Sequence, residues 1–233
     1  MSNWFNKTSE EVENELKTNI KTGLSDNEIK ERQEKYGLNE LEQGKKKSLF
    51  VKFLEQFKDF MIIVLIIAAI ISGAIGIAQN EGIADTVIIM IVVVANAIIG
   101  VAQESKAEKS LEALQKLSGH EAKVIRDGSI KSLPSKYLVP GDIVVLETGD
   151  YIPADLRIFE AINFKVQESS LTGESVPVEK EASRIEKEEV ALGDRTNMLY
   201  SSSLVTYGRG KGIVVETGMN TEVGQIAGML SNT

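Results

Sequence analysis

The residues best suited to chemistry lie in the run Val166 to Lys180, VQESSLTGESVPVEK, which contains Thr172-Gly173-Glu174-Ser175. Gly173 permits backbone conformations that a Cβ would forbid, and Pro177 fixes φ and removes a donor, so a tightly defined turn is predicted. A carboxylate held at such a tip can act as a general base when it comes within hydrogen-bond reach of a proton or a water. The alternative is an acidic surface loop, the usual interpretation of an isolated Thr-Gly-Glu-Ser.

The composition excludes several other kinds of site. The 233 residues carry a formal net charge of -8, whereas a nucleic-acid binder would show a basic face, so no nucleic-acid partner is expected. The sequence has no cysteine, which excludes a disulfide framework, a thiolate metal site and a cysteine nucleophile. His120 is the single histidine, which argues against a histidine metal cluster or a serine-histidine triad within this chain, and no metal ligands are predicted.

The elements that must position the loop begin with an N-terminal helical region, residues 1–44. Thr8 with Glu11, and Ser25 with Glu28, have the spacing of capping boxes and predict two short helices. Gly37 predicts the end of the second helix. We expect this region to be structural, with these buried contacts: Val12, Leu16, Leu24, Ile29 and Tyr36.

A membrane hairpin is predicted next. Residues 45–59 are predicted to form an interfacial helix. Residues 60–78 and 83–102 are apolar runs long enough to cross about 30 Å of hydrocarbon as helices. The second helix is predicted to continue as a stalk over residues 103–118. This stalk would either transmit movement between the membrane and the β domain or act as a static support. Lysines flank the hairpin on both sides, including Lys45 and Lys46, and the connecting link, Gln79 to Gly82, carries only an acid, so both ends are predicted to be cytoplasmic.

Residues 119–233 show short strands and turns and predict a small β-rich domain. Asp127-Gly128 is a two-residue hairpin signal. Near the end, strands are predicted over Met198 to Thr206 and Lys211 to Glu216, joined by a turn at Gly208-Arg209-Gly210. A closing helix over Thr221 to Leu230 would be capped by Thr221 or Asn220.

Four motifs in this order resemble the N-terminal third of the P-type cation-transporting ATPases. They are Pro140-Gly141-Asp142, Pro153-Ala154-Asp155, the run Gln167 to Ser175, and the run Gly218 to Gly224. Their order, their spacing and their position after a hairpin carry the resemblance, which covers essentially the whole chain and is strongest to the calcium-transporting members. The fold class that it implies has several parts: a small α-helical N-terminal region, a two-helix transmembrane hairpin, and a mainly β, jelly-roll-like actuator domain.

The resemblance also implies roles for the loop residues. In this family the actuator delivers its Thr-Gly-Glu loop to a phosphorylated aspartate, and Glu174 would position the attacking water and accept its proton. Thr172, Gly173 and Ser175 would shape the loop. Glu168 and Glu179 do not match the glutamate of the motif and are predicted to be solvated surface charges.

The resemblance further implies a longer pump. No Asp-Lys-Thr-Gly-Thr occurs in the sequence, so this chain alone is not expected to turn over ATP. No cofactor is expected in this chain, whereas the full-length pump would use ATP and Mg²⁺ and transport a cation, Ca²⁺. The implied partners are the lipid bilayer, the phosphorylation and nucleotide domains and the remaining membrane helices, in an integral protein of the plasma membrane whose β domain is cytoplasmic.

Two alternatives stay open at this point. The chain could be a non-catalytic, membrane-anchored β module that acts as an adaptor or regulator, or it could belong to a P-type pump for another cation. Lys58 lies beside the first apolar run, where close calcium pumps tend to have an acid, and this weakens the assignment of calcium.

Overall fold

The structure is a computed structural model that describes residues 3–41, 47–79, 82–117, 121–187 and 189–231. The chain divides into two compact units, one formed by Met1–Glu42 with Gly119–Thr233 and the other by Gln43–Ser118. Parts of three predictions lie outside the described residues: the lysine flank at Lys45 and Lys46, the link at Asn80 and Glu81, and the stalk's last residue, Ser118.

The N-terminal region contains a 3-10 turn and two helices, with these bounds: Trp4–Asn6, α1 Ser9–Glu15 and α2 Asp26–Tyr36. Both capping boxes are present, which confirms the predicted helix starts, and Gly37 ends α2 with a φ of 74°. Val12, Leu24 and Ile29 are buried as predicted. The prediction for Tyr36 is wrong: it is 42% exposed, because it is the last residue of α2 and its ring lies under the Lys35 ammonium at the surface.

The described residues of the second unit form three helices, α3 Leu49–Gln56, α4 Phe60–Gln79 and α5 Ala84–Leu117. Helices α4 and α5 contain segments long and apolar enough to cross a membrane, with mean hydropathies of 2.9 and 2.4. Helix α3 packs on α5, where the Gln56 amide donates to the Glu104 carboxylate at 3.3 Å. A Cβ on Gly100 would lie 2.4 Å from the Gln56 side-chain oxygen, so glycine permits this close approach.

The rest of the first unit is a seven-stranded antiparallel sheet with the strand order β2-β1-β3-β7-β4-β5, and β6 pairs with β4. The strands are β1 Glu121–Arg126, β2 Ser129–Pro134, β3 Ile143–Glu147, β4 Asp155–Gln167, β5 Val178–Glu179, β6 Met198–Leu199 and β7 Leu204–Glu216. Two further helices are α6 Ser169–Thr172 and α7 Glu222–Ser231. The predicted fold class is confirmed: a small helical region, two apolar helices and a mainly antiparallel β domain.

The predicted turn at Gly208–Gly210 is wrong, because β7 runs through it as one strand of 13 residues. Gly208 instead lets β7 approach the irregular middle of β4: it has a φ of +78°, and a Cβ there would lie 2.2 Å from the Asn163 carbonyl oxygen. Met198–Leu199 and the start of β7 are separate strands, so the predicted strand from Met198 to Thr206 is also divided.

The sheet is apolar on both faces. One core cluster takes most of its members from β1, β3, β4 and β7, including Val144, Phe164 and Val214. The second joins alternate residues of β3 and β7, such as Ile143 and Ile213, to these residues of the N-terminal region: Trp4, Phe5 and Val12. The N-terminal region therefore covers a sheet face and is part of the core of the domain.

Candidate functional site

The candidate loop leaves the sheet at the end of β4 and returns at β5. The short strand β5 pairs back onto β4 through Lys165 with Glu179 and Val166 with Val178. The Lys180 amide then donates to the Phe164 carbonyl at 2.8 Å. The loop therefore begins and ends at one place on a long central strand, which fixes its base to the rigid part of the domain.

Within the loop, helix α6 forms a single turn that is held by Glu168. The Glu168 carbonyl accepts hydrogen bonds from the Leu171 amide at 2.9 Å, the Thr172 amide at 3.0 Å and the Thr172 hydroxyl at 3.1 Å. Gly173 ends the turn in the left-handed region with a φ of 76°, and an added Cβ would meet nothing within 4 Å. Glycine is therefore favoured there by backbone conformation and not by space.

The four residues singled out from the sequence lie together at the tip. Thr172 is half-buried, whereas Gly173, Glu174 and Ser175 are exposed. The Glu174 amide donates to the Thr172 hydroxyl oxygen at 3.3 Å, so the backbone of the glutamate is tied to the preceding turn. The site can therefore present a carboxylate to a partner surface, and the catalytic role of these four residues stays a prediction.

Glu168 contradicts the expectation of a solvated charge. Its side chain is 0% exposed and forms an ion pair of 2.6 Å with Lys180, whose side chain is also 0% exposed. Burial raises the pKa of Glu168 and lowers the pKa of Lys180, and the attraction between the two charges opposes each shift. Glu179, the other acid predicted to be solvated, is exposed.

A signal in the sequence could have identified the buried glutamate. Phe164 and Val166 are buried on one face of β4, and Glu168 continues the same alternation of every second residue. Lys180 lies beside Tyr200 and Arg195: its ammonium is 5.7 Å from the Tyr200 ring centroid and 3.4 Å from the Arg195 carbonyl oxygen. The pair is thus enclosed by the core of the domain.

The aspartates of the other two motifs near the sheet have structural partners. Asp142 receives the Arg126 guanidinium at 2.8 and 2.6 Å and the Val139 amide at 2.9 Å. Asp155 accepts from the Ser201 amide at 2.9 Å and from the first amide of α7 at 2.8 Å. These residues hold turns and a helix end in place, so we assign them no chemistry.

The closing motif also has a structural basis. Thr221 is the cap of α7, since its hydroxyl oxygen accepts from the Gly224 amide at 3.0 Å. A Cβ on Gly224 would lie 2.3 Å from the Gly218 carbonyl oxygen, so the helix start packs directly on the preceding turn. Across the described ranges of the chain, no three His, Cys, Asp or Glu side chains are grouped so that they could hold a metal ion.

Comparisons with known proteins agree with this architecture. A family profile described as the P-type ATPase actuator domain matches residues 116–231, which include the sheet and the loop. A second profile, described as the cation transporter/ATPase N-terminus, matches residues 4–72. The chain belongs to the P-type ATPase family. In this family's terms, residues 116–231 are the actuator domain, and the candidate loop lies within these residues.

Several P-type ATPases with curated names are similar over nearly the whole chain. Calcium-transporting ATPase 1 of Bacillus cereus is 51% identical over 99% of this chain and 26% of its own length. The calcium-transporting ATPase of Bacillus subtilis is 49% identical over 92% of this chain and 24% of its own length. A sodium/potassium exporting P-type ATPase of Schizosaccharomyces pombe is 44% identical over 93% of this chain and 21% of its own length. The chain spans about a quarter of the length of these relatives.

Proposed function

We propose that this chain is part of an ATP-driven cation pump that exports calcium, and that Glu174 assists hydrolysis of an aspartyl phosphate in that pump. The observation that carries the proposal is the geometry of the loop: an exposed carboxylate at the tip of a turn whose base is fixed to a central strand. Membership of the P-type ATPase family and the names of the bacterial relatives support it.

The proposed reaction needs a base that arrives from outside the phosphorylated site. Glu174 would orient a water for in-line attack on phosphorus and accept a proton from it as the new P–O bond forms. The bond between phosphorus and the aspartate oxygen breaks, and the aspartate leaves as a carboxylate. We assign the phosphorylated aspartate, ATP and Mg²⁺ to the phosphorylation and nucleotide domains of the full-length pump, which would be the partners of this loop.

The helices α4 and α5 would place the pump in a lipid bilayer, together with its remaining membrane helices. We propose the plasma membrane, with the β domain and both flanks of the hairpin in the cytoplasm, on the basis of the lysines that flank the apolar helices. The transported ion is assigned as Ca²⁺ from the bacterial relatives named calcium-transporting ATPases.

A pump for another cation is the second candidate, and the relative named as a sodium/potassium exporting ATPase favours it. Measuring which ion stimulates ATP hydrolysis by the full-length protein distinguishes the two pumps. The third candidate function is that of a non-catalytic, membrane-anchored module. It requires a coding sequence without an Asp-Lys-Thr-Gly-Thr motif, so inspection of the downstream reading frame tests it.

The role of Glu174 is tested with Glu174→Ala in the full-length pump. Labelled phosphoenzyme should form normally from ATP but decay about 100-fold more slowly, the smaller end of the effect of losing a general base. Glu179→Ala is the matched control, because Glu179 is an exposed acid on the strand that follows the loop. Normal decay in Glu174→Ala would remove the assignment.

A further inference from the structure

The two ends of the candidate loop are joined by one buried ion pair, Glu168–Lys180. Glu168 follows the last residue of β4, and Lys180 follows the last residue of β5. Their charged groups are 2.6 Å apart and both side chains are fully buried. The pair therefore bridges the two points at which the loop enters and leaves the sheet.

A chain of contacts connects this pair to the tip. Main-chain and side-chain groups of Glu168 act together: the carboxylate holds Lys180, and the carbonyl receives three hydrogen bonds from Leu171 and Thr172. Thr172 in turn accepts the amide of Glu174 through its hydroxyl oxygen. A shift of Glu168 would therefore move the turn that carries the glutamate of the tip.

The chemistry of the pair suggests a geometric role. A buried ion pair is weak evidence for stability, because well-packed apolar side chains of similar volume are often as stable or more stable. An ion pair of 2.6 Å does, however, fix the distance between the two loop ends and their alignment along the strands.

We propose that the Glu168–Lys180 pair positions the loop so that Glu174 reaches the aspartyl phosphate at the productive distance. Glu168 and Lys180 are positioning residues, since they act through the turn and do not touch the reacting atoms. The inference rests on the proposed function of Glu174 and adds a determinant of its rate. A misplacement of about 1 Å in a catalytic constellation can slow a reaction by about 100-fold, so a modest loss of fit has a measurable effect.

The experiment uses the full-length pump and three variants: Lys180→Met, Glu168→Gln and the neutral double variant. Phosphoenzyme formation from ATP should be normal in each, and its decay should slow by about tenfold. The double variant separates position from stability. It removes the uncompensated charge and should recover the thermal stability lost in either single variant, yet its decay should stay slow.

Asp142→Asn is the matched control, because Asp142 also forms a buried ion pair of 2.6 Å in the same domain, with Arg126. It should lower thermal stability and leave the decay rate unchanged. Hydrogen exchange provides a second readout: the amides of Leu171, Thr172 and Gly173 should exchange about tenfold faster in Lys180→Met and at the normal rate in Asp142→Asn.

The proposal is overturned if decay follows stability, that is, if the neutral double variant decays at the wild-type rate or if Asp142→Asn decays as slowly as the loop variants. Measuring Glu174→Ala in parallel separates the two hypotheses. Normal decay in Glu174→Ala removes the proposed function itself. If the phosphoenzyme decays slowly in Glu174→Ala but at the normal rate in the Glu168 and Lys180 variants, only the positioning role of the ion pair is contradicted.

Discussion

The carboxylate of Asp155 accepts a hydrogen bond from the backbone amide of Glu222 at 2.8 Å, at the first residue of helix α7. Its other oxygen accepts from the Ser201 amide at 2.9 Å. One buried side chain therefore ties the start of β4 to the end helix of the domain. The partial positive charge of a helix N-terminus favours an anion there, but burial has the opposite effect and raises the pKa of Asp155 to about 7.

This pKa predicts a pH dependence of stability. Because the folded state binds the Asp155 proton more tightly than the unfolded state, the resulting stabilisation is complete below the unfolded pKa of about 3.8 and is lost as the pH rises to about 7. Two more acids, Glu216 and Glu222, face the same cavity of about 680 Å³ and oppose the ionised form. The free energy of unfolding should therefore fall between pH 4 and pH 7, and the decrease should be smaller in Asp155→Asn.

Urea unfolding of the detergent-solubilised protein at several pH values measures this difference. The raised pKa of Glu216, which also comes from burial, acts in both proteins and largely cancels in the comparison. The comparison uses only the slope of the unfolding free energy against pH, because Asp155→Asn also changes the hydrogen bonds of this side chain and so shifts the whole curve. Parallel curves for the wild type and Asp155→Asn between pH 4 and pH 7 would contradict the assignment.

A second prediction concerns Gly208, where conformation and close contact act together. An alanine there would have a φ of +78°, and its Cβ would lie 2.2 Å from the Asn163 carbonyl oxygen. We expect Gly208→Ala to lower the free energy of unfolding by about 3 kcal/mol or more, from backbone strain and overpacking. Gly128→Ala is the control, with a φ of +72° and no atom within 4 Å, and should cost about 1 kcal/mol. Equal losses in urea unfolding would show that the contact across the strands is unimportant.

These two glycines also show what can be predicted from sequence. Asp127 and Gly128 have φ values of 50° and 72°, the two positive values of a type I′ hairpin turn, and the signal is complete in two adjacent residues. Gly208 carries the same local preference, but its partner at Asn163 is distant in sequence. A glycine signals either a turn or a close approach, and only the strand pairing decides between them.

The residues of the candidate site also separate into those that a local sequence pattern predicts and those that it does not. The tip at Glu174 was predictable because its residues are contiguous. The pair beneath it was not predicted, because the charge of Glu168 indicates a surface residue, whereas the alternation of β4 places its side chain inside. The burial of Trp4 and Phe5 depends on a sheet more than a hundred residues away in sequence, so a local pattern carries no sign of it.

A third prediction uses Trp4, the single tryptophan, as a reporter of the N-terminal segment. The buried Arg157 guanidinium donates to the Lys7 carbonyl at 3.2 and 2.9 Å and to the Ala182 carbonyl at 3.2 Å. Removing these donors in Arg157→Met leaves carbonyls without partners and should cost about 3 kcal/mol of unfolding free energy. The segment should loosen, so Trp4 fluorescence should shift to longer wavelength and become more accessible to acrylamide.

Arg209→Met is the control for that variant, since Arg209 lies exposed on β7 of the same sheet. It should leave the emission of Trp4 unchanged. Arg157→Lys tests the geometry, because one ammonium cannot reproduce the fork of a guanidinium and should recover little of the loss. Wild-type quenching in Arg157→Met would show that Arg157 does not hold the segment.

The last prediction concerns the helical unit, in which Lys52 of α3 is buried against α5. Its ammonium lies 2.5 Å from the Glu108 carboxylate and 3.8 Å from that of Glu104, and only 3% of the residue is exposed. Lys52→Met leaves two carboxylates without their cation, so amides of α3 should exchange about tenfold faster with solvent. The control is Lys47→Met, which breaks an exposed pair of 2.7 Å with Glu55, and exposed pairs contribute little. Hydrogen exchange of the protein in detergent measures both, and equal rates in the two variants would show that burial of Lys52 does not fix α3 on α5.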